Sequence, residues 1–257
     1  QLLRGKEIRS GKYTVVTDEI ISTVKGMQNG DIALLDNMRF DWRERSDSPL
    51  ERQGLAYDLS RLGDVYVLDG FPISHRSDTS VNEMCKTSMP SVMGFWMERE
   101  FAIHQRLLRY IENSERGPMA AIFGGIKEDK IELIKNFAKK MRKGDKILIG
   151  GFLADIIKKE HSNLIEDIKR DNGVEVILAL DDIDGKDIGP RTIERFRDVL
   201  SSVEFVYWNS PQGQFEVTPY HEGSYAIANY IKERIDSGEM SAFVSGGETA
   251  SLVKSVL

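Results

Sequence analysis

Residues 119–141 read MAAIFGGIKEDKIELIKNFAKKM, and they contain the repeating pattern from which we predict the fold class. Met119–Ile122 is apolar throughout, which is typical of a short strand buried on both faces of a parallel sheet. The glycine pair Gly124-Gly125 follows the strand. In Asp129–Arg142 apolar side chains lie on one helical face and lysines on the other, so we predict an amphipathic helix. The stretch therefore predicts one strand-loop-helix unit of a parallel α/β sheet.

The same alternation of short strand and amphipathic helix continues along the rest of the chain. One further helical pattern, Pro190–Leu200, begins with proline at a favoured first helical position. Such alternation predicts an α/β protein with right-handed crossovers between parallel strands. The remaining candidate strands are Tyr13–Val16, Ile32–Leu35, Val65–Leu68, Lys146–Ile149, Glu175–Leu180, Glu204–Val206 and Ser241–Val244.

A long helical pattern, Ser91–Glu112, divides the chain into two parts. It is followed by Asn-Ser-Glu-Arg-Gly-Pro at positions 113–118, which is a polar turn signal. We therefore predict two domains, residues 1–112 and residues 113–257, with the helix as their connector.

The composition is that of a globular protein and excludes several classes of partner. The 257 residues carry 41 acidic and 35 basic side chains, a formal net charge of −6. Proteins that bind nucleic acid or anionic membranes usually show a basic excess, and no apolar run approaches the ~18 residues of a membrane span. The single cysteine, Cys85, cannot form an internal disulfide and fits a reducing compartment. We expect a cytoplasmic monomer.

Three glycine pairs follow predicted strands directly: Gly124–Gly125, Gly150–Gly151 and Gly246–Gly247. Ligands of open α/β sheets bind at the carboxyl ends of the strands, and glycine lets backbone N–H groups approach a phosphate. Any one pair by itself is more often only a tight turn. Together they favour a phosphate-binding edge, although none fits the Walker pattern or the three-glycine dinucleotide pattern.

Seven segments, in the same order along the chain, resemble the phosphoglycerate kinase family. They spread over nearly all of the chain, so the likeness does not rest on one motif. The segments are Leu34–Phe40, Asp64–Arg76, Gly94–Glu100, Ile122–Ile131, Asp187–Pro190, Trp208–Glu216 and Gly246–Ala250.

The resemblance implies two Rossmann-like parallel-sheet domains joined by a long interdomain helix, with hinge closure between them. Residues 1–112 would be a partial substrate domain and residues 113–257 the nucleotide domain. The implied reaction is glycolytic phosphoryl transfer between 1,3-bisphosphoglycerate with ADP and 3-phosphoglycerate with ATP. Family segments at both ends lack counterparts here, so the N-terminal domain is expected to be incomplete and the chain to be inactive by itself.

The resemblance assigns cationic side chains to the substrates. Arg39 and Arg76 would bind the glycerate, and Arg39 would also assist catalysis, because the planar guanidinium bonds carboxylate and phosphate bidentately. Lys127 and Lys130 resemble the two family lysines beside the migrating phosphoryl group, although one residue is missing between them here. The alternatives are surface salt bridges for the arginines and a solvated helix face for the lysines.

The resemblance also implies a nucleotide site in the second domain. Glu216 matches the residue that accepts hydrogen bonds from the ribose hydroxyls. Glu248 replaces an aspartate near Mg²⁺, so we expect it to contact the Mg²⁺ that accompanies ATP or ADP. The expected nucleotide-binding residues are Gly125, Lys127, Lys130, Gly150, Gly151, Gly189, Asn209, Pro211, Gly213, Glu216, Gly246, Gly247, Glu248 and Thr249.

Departures from the family pattern keep two alternatives open. Phe152 and Ser210 each replace a family glycine, and with Glu248 and the shortened lysine loop they favour a degenerate paralogue that binds Mg-nucleotide without catalysis. A different α/β nucleotide-binding protein, such as a sugar-nucleotide enzyme, is a second alternative. Asn37–Arg39 and His75–Arg76 argue against it.

Overall fold

The computed structural model describes residues 1–8, 11–125 and 129–256. It contains two compact units, Gln1–Arg106 and Leu107–Leu257. The division falls within one long helix, six residues before the boundary expected from the polar turn. No helix of the described segments combines the length and apolarity needed to cross a membrane.

The first unit is built from short strands and helices. Two strand pairs, β1 with β4 and β5 with β6, are parallel, whereas β2 and β3 form an antiparallel pair. Val16, Ile21 and Leu55 form its small core. The elements are β1 (Leu2–Leu3), β2 (Lys6–Ile8), β3 (Lys12–Thr14), α1 (Asp18–Lys25), β4 (Leu34–Leu35), α2 (Pro49–Ser60), β5 (Tyr66–Leu68), β6 (Ser91–Met93) and α3 (Phe95–Glu112), which continues into the second unit.

The prediction that Ser91–Met93 belongs to the long helix is wrong. These residues form β6 and pair in parallel with β5, so the helix begins only at Phe95. Asp69 accounts for the start, because its carboxylate accepts a 2.8 Å hydrogen bond from the backbone N–H of Met97. Gly94 is needed at the junction, since a Cβ there would lie 2.3 Å from the Asp69 carboxyl carbon.

The second unit is an open, five-stranded parallel sheet flanked by helices. From one edge to the other its strands are Ser241–Ser245 (β13), Phe205–Asn209 (β12), Met119–Phe123 (β7), Lys146–Ile149 (β8) and Glu175–Leu178 (β9). The chain starts in the middle, runs outwards to one edge and then crosses over to the other side. The elements are β7 (Met119–Phe123), α4 (Asp129–Ala138), β8 (Lys146–Ile149), α5 (Gly151–Glu160), α6 (Asn163–Asn172), β9 (Glu175–Leu178), β10 (Asp182–Ile183), β11 (Asp187–Ile188), α7 (Pro190–Leu200), β12 (Phe205–Asn209), α8 (Glu222–Asp236), β13 (Ser241–Ser245) and α9 (Gly247–Val256).

The predicted α/β class with parallel sheets is confirmed. Each predicted strand overlaps an observed one, and the helix predicted at Pro190–Leu200 has those bounds. All five residues of β7 are buried, as expected for a strand covered on both faces. The helix predicted to end at Arg142 is shorter, because α4 stops at Ala138 and a turn closes with Met141 N–H donating to the Ala138 carbonyl at 3.0 Å.

A buried ion pair anchors the amino-terminal edge of this sheet. The Arg116 guanidinium makes a bidentate contact with Asp145, and both side chains are essentially inaccessible to solvent. Asp145 also accepts the backbone N–H groups of Met119 at 3.1 Å and Arg142 at 2.8 Å. The pair thus joins the start of β7 to the segment before β8.

Strands β10 and β11 form a small hairpin that the sequence reading missed. Asp184 and Gly185 have φ values of +54° and +66°, and the Lys186 N–H donates to the Ile183 carbonyl at 2.9 Å. Positive φ at both central residues is the geometry that an Asp-Gly hairpin turn favours.

Candidate functional site

Four strands of the large sheet end beside one another, and glycine-rich loops leave their carboxyl ends. The strands β7, β8, β12 and β13 are followed by Gly124–Gly125, Gly150–Gly151, Ser210–Gly213 and Gly246–Gly247. These loops border a pocket of about 580 Å³. Strands β7 and β12 are spatial neighbours but far apart in sequence, so the pocket lies at the topological switch point where ligands of open α/β sheets bind.

Most of the expected nucleotide-binding residues line this glycine-lined pocket. They come from loops that are distant in sequence, and only the sheet brings them together. Those that line it are Gly125, Lys130, Gly151, Pro211, Gly213, Glu216, Gly246, Gly247, Glu248 and Thr249.

Three of these glycines have a backbone geometry that other residues adopt only with strain. Gly125 has φ +92°, Gly151 has φ +59° and Gly246 has φ +93°. A Cβ on Gly151 would lie 2.6 Å from the Gln212 carbonyl oxygen. The close approach of the loops therefore requires glycine at position 151, whereas at Gly125 and Gly246 the positive φ alone favours glycine.

Three expected residues lie outside the pocket lining. Gly150 packs against the buried amide of Gln212, and Asn209 holds Lys130 through a 3.0 Å hydrogen bond from the lysine ammonium. Gly189 lies at the start of α7, where the Asp181 carboxylate accepts the backbone N–H of residues 191 and 192. That helix end is capped by the protein itself, so the geometry does not bring Gly189 to the pocket.

Lys130 reaches the pocket despite the shortened loop before it. It lies in the first turn of α4, and its ammonium donates to the Asn209 amide oxygen and to the Ser210 hydroxyl. The missing residue therefore does not turn this lysine away from the site. Lys127 lies outside the described residues.

Ser210, which lines the pocket, has a strained backbone conformation. Its φ is +72°, a left-handed conformation that costs an ordinary residue about 1–2 kcal/mol. Three contacts hold it there: its N–H donates to the Thr249 hydroxyl at 2.8 Å, its carbonyl accepts from the Trp208 indole at 2.7 Å, and its hydroxyl binds Lys130. The sequence departure thus replaces a glycine where glycine would be free of strain.

The first turn of α9 presents Glu248 to the pocket. Its side chain is exposed, whereas Thr249 is buried and binds Ser210. Among the described residues, no group of three histidine, cysteine or acidic side chains could hold a metal ion. One carboxylate suits Mg²⁺, which is commonly held by one or two carboxylates together with substrate phosphates.

Asp187 supports the pocket from behind with a perturbed carboxyl group. Burial raises its pKa to about 6, although the carboxylate accepts the N–H groups of Ile188 at 2.9 Å and Gly223 at 2.7 Å. A Cβ on Gly213 would lie 2.3 Å from its Oδ1. The carboxyl group therefore packs directly beneath the loop that carries Gly213.

The sequence reading did not assign several lining residues to the site. Phe152 and Ser210 were recognised only as departures from the family pattern. Gly185 and Lys186 come from the hairpin, for which the Asp-Gly turn was the available sequence signal. The unassigned lining residues are Phe152, Gly185, Lys186, Ser210, Gln212, Gln214 and Phe215.

The first unit carries the two arginines expected to bind substrate. Arg39 lies exposed in a short helical turn, where its N–H donates to the Asn37 side chain at 3.0 Å. Arg76 is partly buried after a second short turn. Within the described ranges neither guanidinium forms an ion pair, so surface salt bridges do not explain them.

These features define an open α/β protein with a glycine-lined pocket at the carboxyl ends of its parallel strands. The family profile described as phosphoglycerate kinase matches residues 1–180 and 166–257. The chain belongs to the phosphoglycerate kinase family.

One curated relative agrees with this assignment, and two solved structures share the fold. The phosphoglycerate kinase of Corynebacterium glutamicum strain R is 31% identical over 289 aligned positions, which cover 95% of this chain and 69% of the relative. The phosphoglycerate kinase structure from Pyrococcus horikoshii has a TM-score of 0.69 at 22% identity, covering 99% of this chain and 70% of that one. The Coxiella burnetii structure has a TM-score of 0.66 at 22% identity, covering 88% and 64%.

The chain spans roughly two thirds of the length of these relatives. The alignment with the Corynebacterium protein covers 289 positions, more than the 257 residues of this chain. The relative therefore carries residues within the aligned region that this chain lacks.

Proposed function

We propose that the protein transfers a phosphoryl group between 1,3-bisphosphoglycerate and ADP, and that the second unit binds the Mg-nucleotide. The observation that carries the proposal is the pocket in which Lys130, three glycine loops and Glu248 converge. Family membership supports the choice of reaction. A different α/β enzyme, such as a sugar-nucleotide enzyme, is not supported by these matches.

The nucleotide phosphates would bind at the Lys130 end of the pocket. Two helices, α5 and α9, begin at Gly151 and Gly247, which line the pocket. The first backbone N–H groups of a helix lack partners within the helix, and its dipole favours an anion there. The ammonium of Lys130 adds a full positive charge. Glu216, exposed on the same loop as Ser210, would accept hydrogen bonds from the ribose hydroxyls.

Glu248 would hold the Mg²⁺ that accompanies the nucleotide. When bound, the ion neutralises charge on the phosphate oxygens during transfer. The exposed carboxylate at the pocket fits that task.

The glycerate substrate would bind to the first unit through Arg39 and Arg76. Neither guanidinium is paired within the described segments, so each can form bidentate bonds to a carboxylate or phosphate. The cytoplasmic location expected from the composition agrees with this substrate class.

For this reaction the protein has to neutralise the charge on the phosphoryl group and position the two substrates. A carboxylate oxygen of 3-phosphoglycerate attacks the terminal phosphorus of ATP, the bond from that phosphorus to the ADP oxygen breaks, and the reverse reaction makes ATP. No covalent enzyme intermediate forms. Lys130 would stabilise the negative charge on the migrating group, and Arg39 would orient its acceptor.

Calorimetric titration with Mg-ADP tests the nucleotide site. Lys130→Met should weaken binding about 10-fold to 100-fold, because a charged hydrogen bond contributes about 1.5–3 kcal/mol. Lys135→Met on the same helix is the matched control, since Lys135 is exposed and outside the pocket. Equal affinities for the two variants would contradict the proposal.

A second candidate function is nucleotide binding without turnover. Two residues favour this second function. Ser210 has a strained backbone and its hydroxyl binds Lys130. Phe152 lines the pocket with 48% of its surface exposed. Because the chain is expected to be inactive by itself, the assay for 3-phosphoglycerate-dependent ATP consumption uses the chain completed with the family segments that it lacks. Mg-ADP binding without turnover would support the second function, and turnover would exclude it.

A further inference from the structure

The pocket has two chemically different ends. At one end Lys130, Ser210 and Thr249 are joined by hydrogen bonds. From there the loop that follows β12 runs along the pocket, and at Gln214 its backbone N–H donates to the Lys186 carbonyl at 3.0 Å. The hairpin tip, which lines the pocket through Gly185 and Lys186, therefore lies at the Gln214 end of this loop, four residues along the chain from Ser210. A nucleotide whose phosphates bind near Lys130 directs its base towards this end.

The hairpin tip is held firmly at the pocket border. The Tyr220 hydroxyl donates to the Asp184 carboxylate at 3.0 Å, and the Lys186 ammonium lies 4.7 Å from the centre of the Tyr220 ring. Together with the Gln214 bond, these contacts attach both sides of the turn to the segment that follows β12. Lys186 thus has a defined place at the pocket and is not on a free loop.

The side chains at this end could recognise the edge of a base. Lys186 and Gln214 are exposed and line the pocket, and Phe152 supplies an exposed aromatic ring on the border. The ring can stack on a base of any type, so it gives affinity without selectivity. A lysine ammonium offers three donors and no acceptor, so it selects.

Donor and acceptor patterns decide which base suits a lysine. Guanine presents two acceptors, O6 and N7, on one edge, whereas adenine presents the N7 acceptor beside an N6 amino donor. An ammonium meets both acceptors of guanine but opposes the amino group of adenine. The Gln214 amide, which carries both donor and acceptor groups, suits either base.

Resting on the proposed nucleotide site, we propose that Lys186 is a specificity-determining residue that favours 6-oxopurine nucleotides, guanosine and inosine diphosphates, over ADP. The preference comes from Lys186 at the nucleoside end, whereas Lys130 binds the phosphates of every nucleotide alike.

Calorimetric titration of the full 257-residue chain with Mg²⁺ and ADP, GDP or IDP tests this directly. We expect GDP and IDP to bind about fivefold more tightly than ADP. This factor is at the lower end of the discrimination that a side-chain contact to a base edge provides, because Lys186 is exposed to solvent. Lys186→Met should bring all three affinities within about twofold. Lys254→Met is the control, since it removes an exposed lysine charge outside the pocket, and it should keep the preference.

Inorganic pyrophosphate completes the test, because it occupies only the phosphate end. Its affinity should be unchanged in Lys186→Met. A uniform loss for pyrophosphate and all three nucleotides would identify Lys186 as a phosphate contact and overturn the inference. Equal affinities of the unmodified chain for ADP and GDP would overturn it without any variant. Failure of every nucleotide to bind would instead reject the proposed nucleotide site itself.

Discussion

Replacing Asp145 with alanine tests how the sheet that carries the pocket is held together. The Asp145 carboxylate accepts hydrogen bonds from both terminal nitrogens of Arg116 and from the backbone N–H groups of Met119 and Arg142. The Arg116 side chain is 0% exposed and that of Asp145 is 1% exposed. Alanine would therefore leave the buried Arg116 guanidinium without its carboxylate partner and the two backbone N–H groups without their acceptor.

The expected loss is large for a single substitution. Removing one partner of a buried ion pair costs about 3–5 kcal/mol, because the remaining charge stays buried and unpaired. In a protein of this size such a loss lowers the melting temperature by on the order of 10 °C. Glu175→Ala provides the contrast, since its pair with Lys146 lies at the surface, and an exposed pair contributes roughly 0–1 kcal/mol.

Urea unfolding followed by circular dichroism measures both variants against the unmodified chain. The free energy of unfolding should fall by several kcal/mol for Asp145→Ala and by less than about 1 kcal/mol for Glu175→Ala. If the two losses are equal, the buried pair does not anchor β7 and β8 in the way we infer.

Three further predictions concern the pocket. Ser210→Gly relieves the strain of a left-handed backbone, whereas Ser210→Ala keeps the strain and loses the Lys130 contact. Urea unfolding should therefore show the glycine variant to be more stable than the alanine variant by about 1 kcal/mol. The opposite order of stability would contradict this. Gly151→Ala should lower stability by more than 1 kcal/mol, because φ at this position is positive and the added Cβ would contact Gln212. The control is Gly54→Ala in α2, where no atom lies near the added Cβ, and it should raise the melting temperature slightly. Unchanged stability of Gly151→Ala would refute the close packing. The raised pKa of Asp187, about 6, means that its contribution to stability is present below pH 4 and lost as pH rises through 6. Asp187→Asn should therefore reduce the loss of unfolding free energy between pH 4 and pH 7 by roughly 2–3 kcal/mol, and an unchanged pH dependence would reject the shift.

The strands and glycine loops of the second unit could be predicted because their signals are local. An apolar run such as Met119–Ile122 followed by two glycines needs no distant information, and parallel strands place such loops at one edge. The convergence of Gly125, Gly151 and Gly246 followed from that rule.

Other features depend on contacts that a linear reading does not reveal. Ser91–Met93 is a strand because β5 lies beside it, and the helix starts where Asp69 can cap it. The hairpin strands have only two residues each, too short for a periodic pattern. Gly189 matched a family motif, yet Asp181 occupies the helix end beside it.

A crystal structure of the chain with Mg-ADP would show whether the glycine-lined pocket is the nucleotide site. We predict diphosphate oxygens within hydrogen-bonding distance of the Lys130 ammonium and the first N–H groups of α9, with the base towards Lys186. Nucleotide bound elsewhere, or a pocket that stays empty at saturating Mg-ADP, would contradict it.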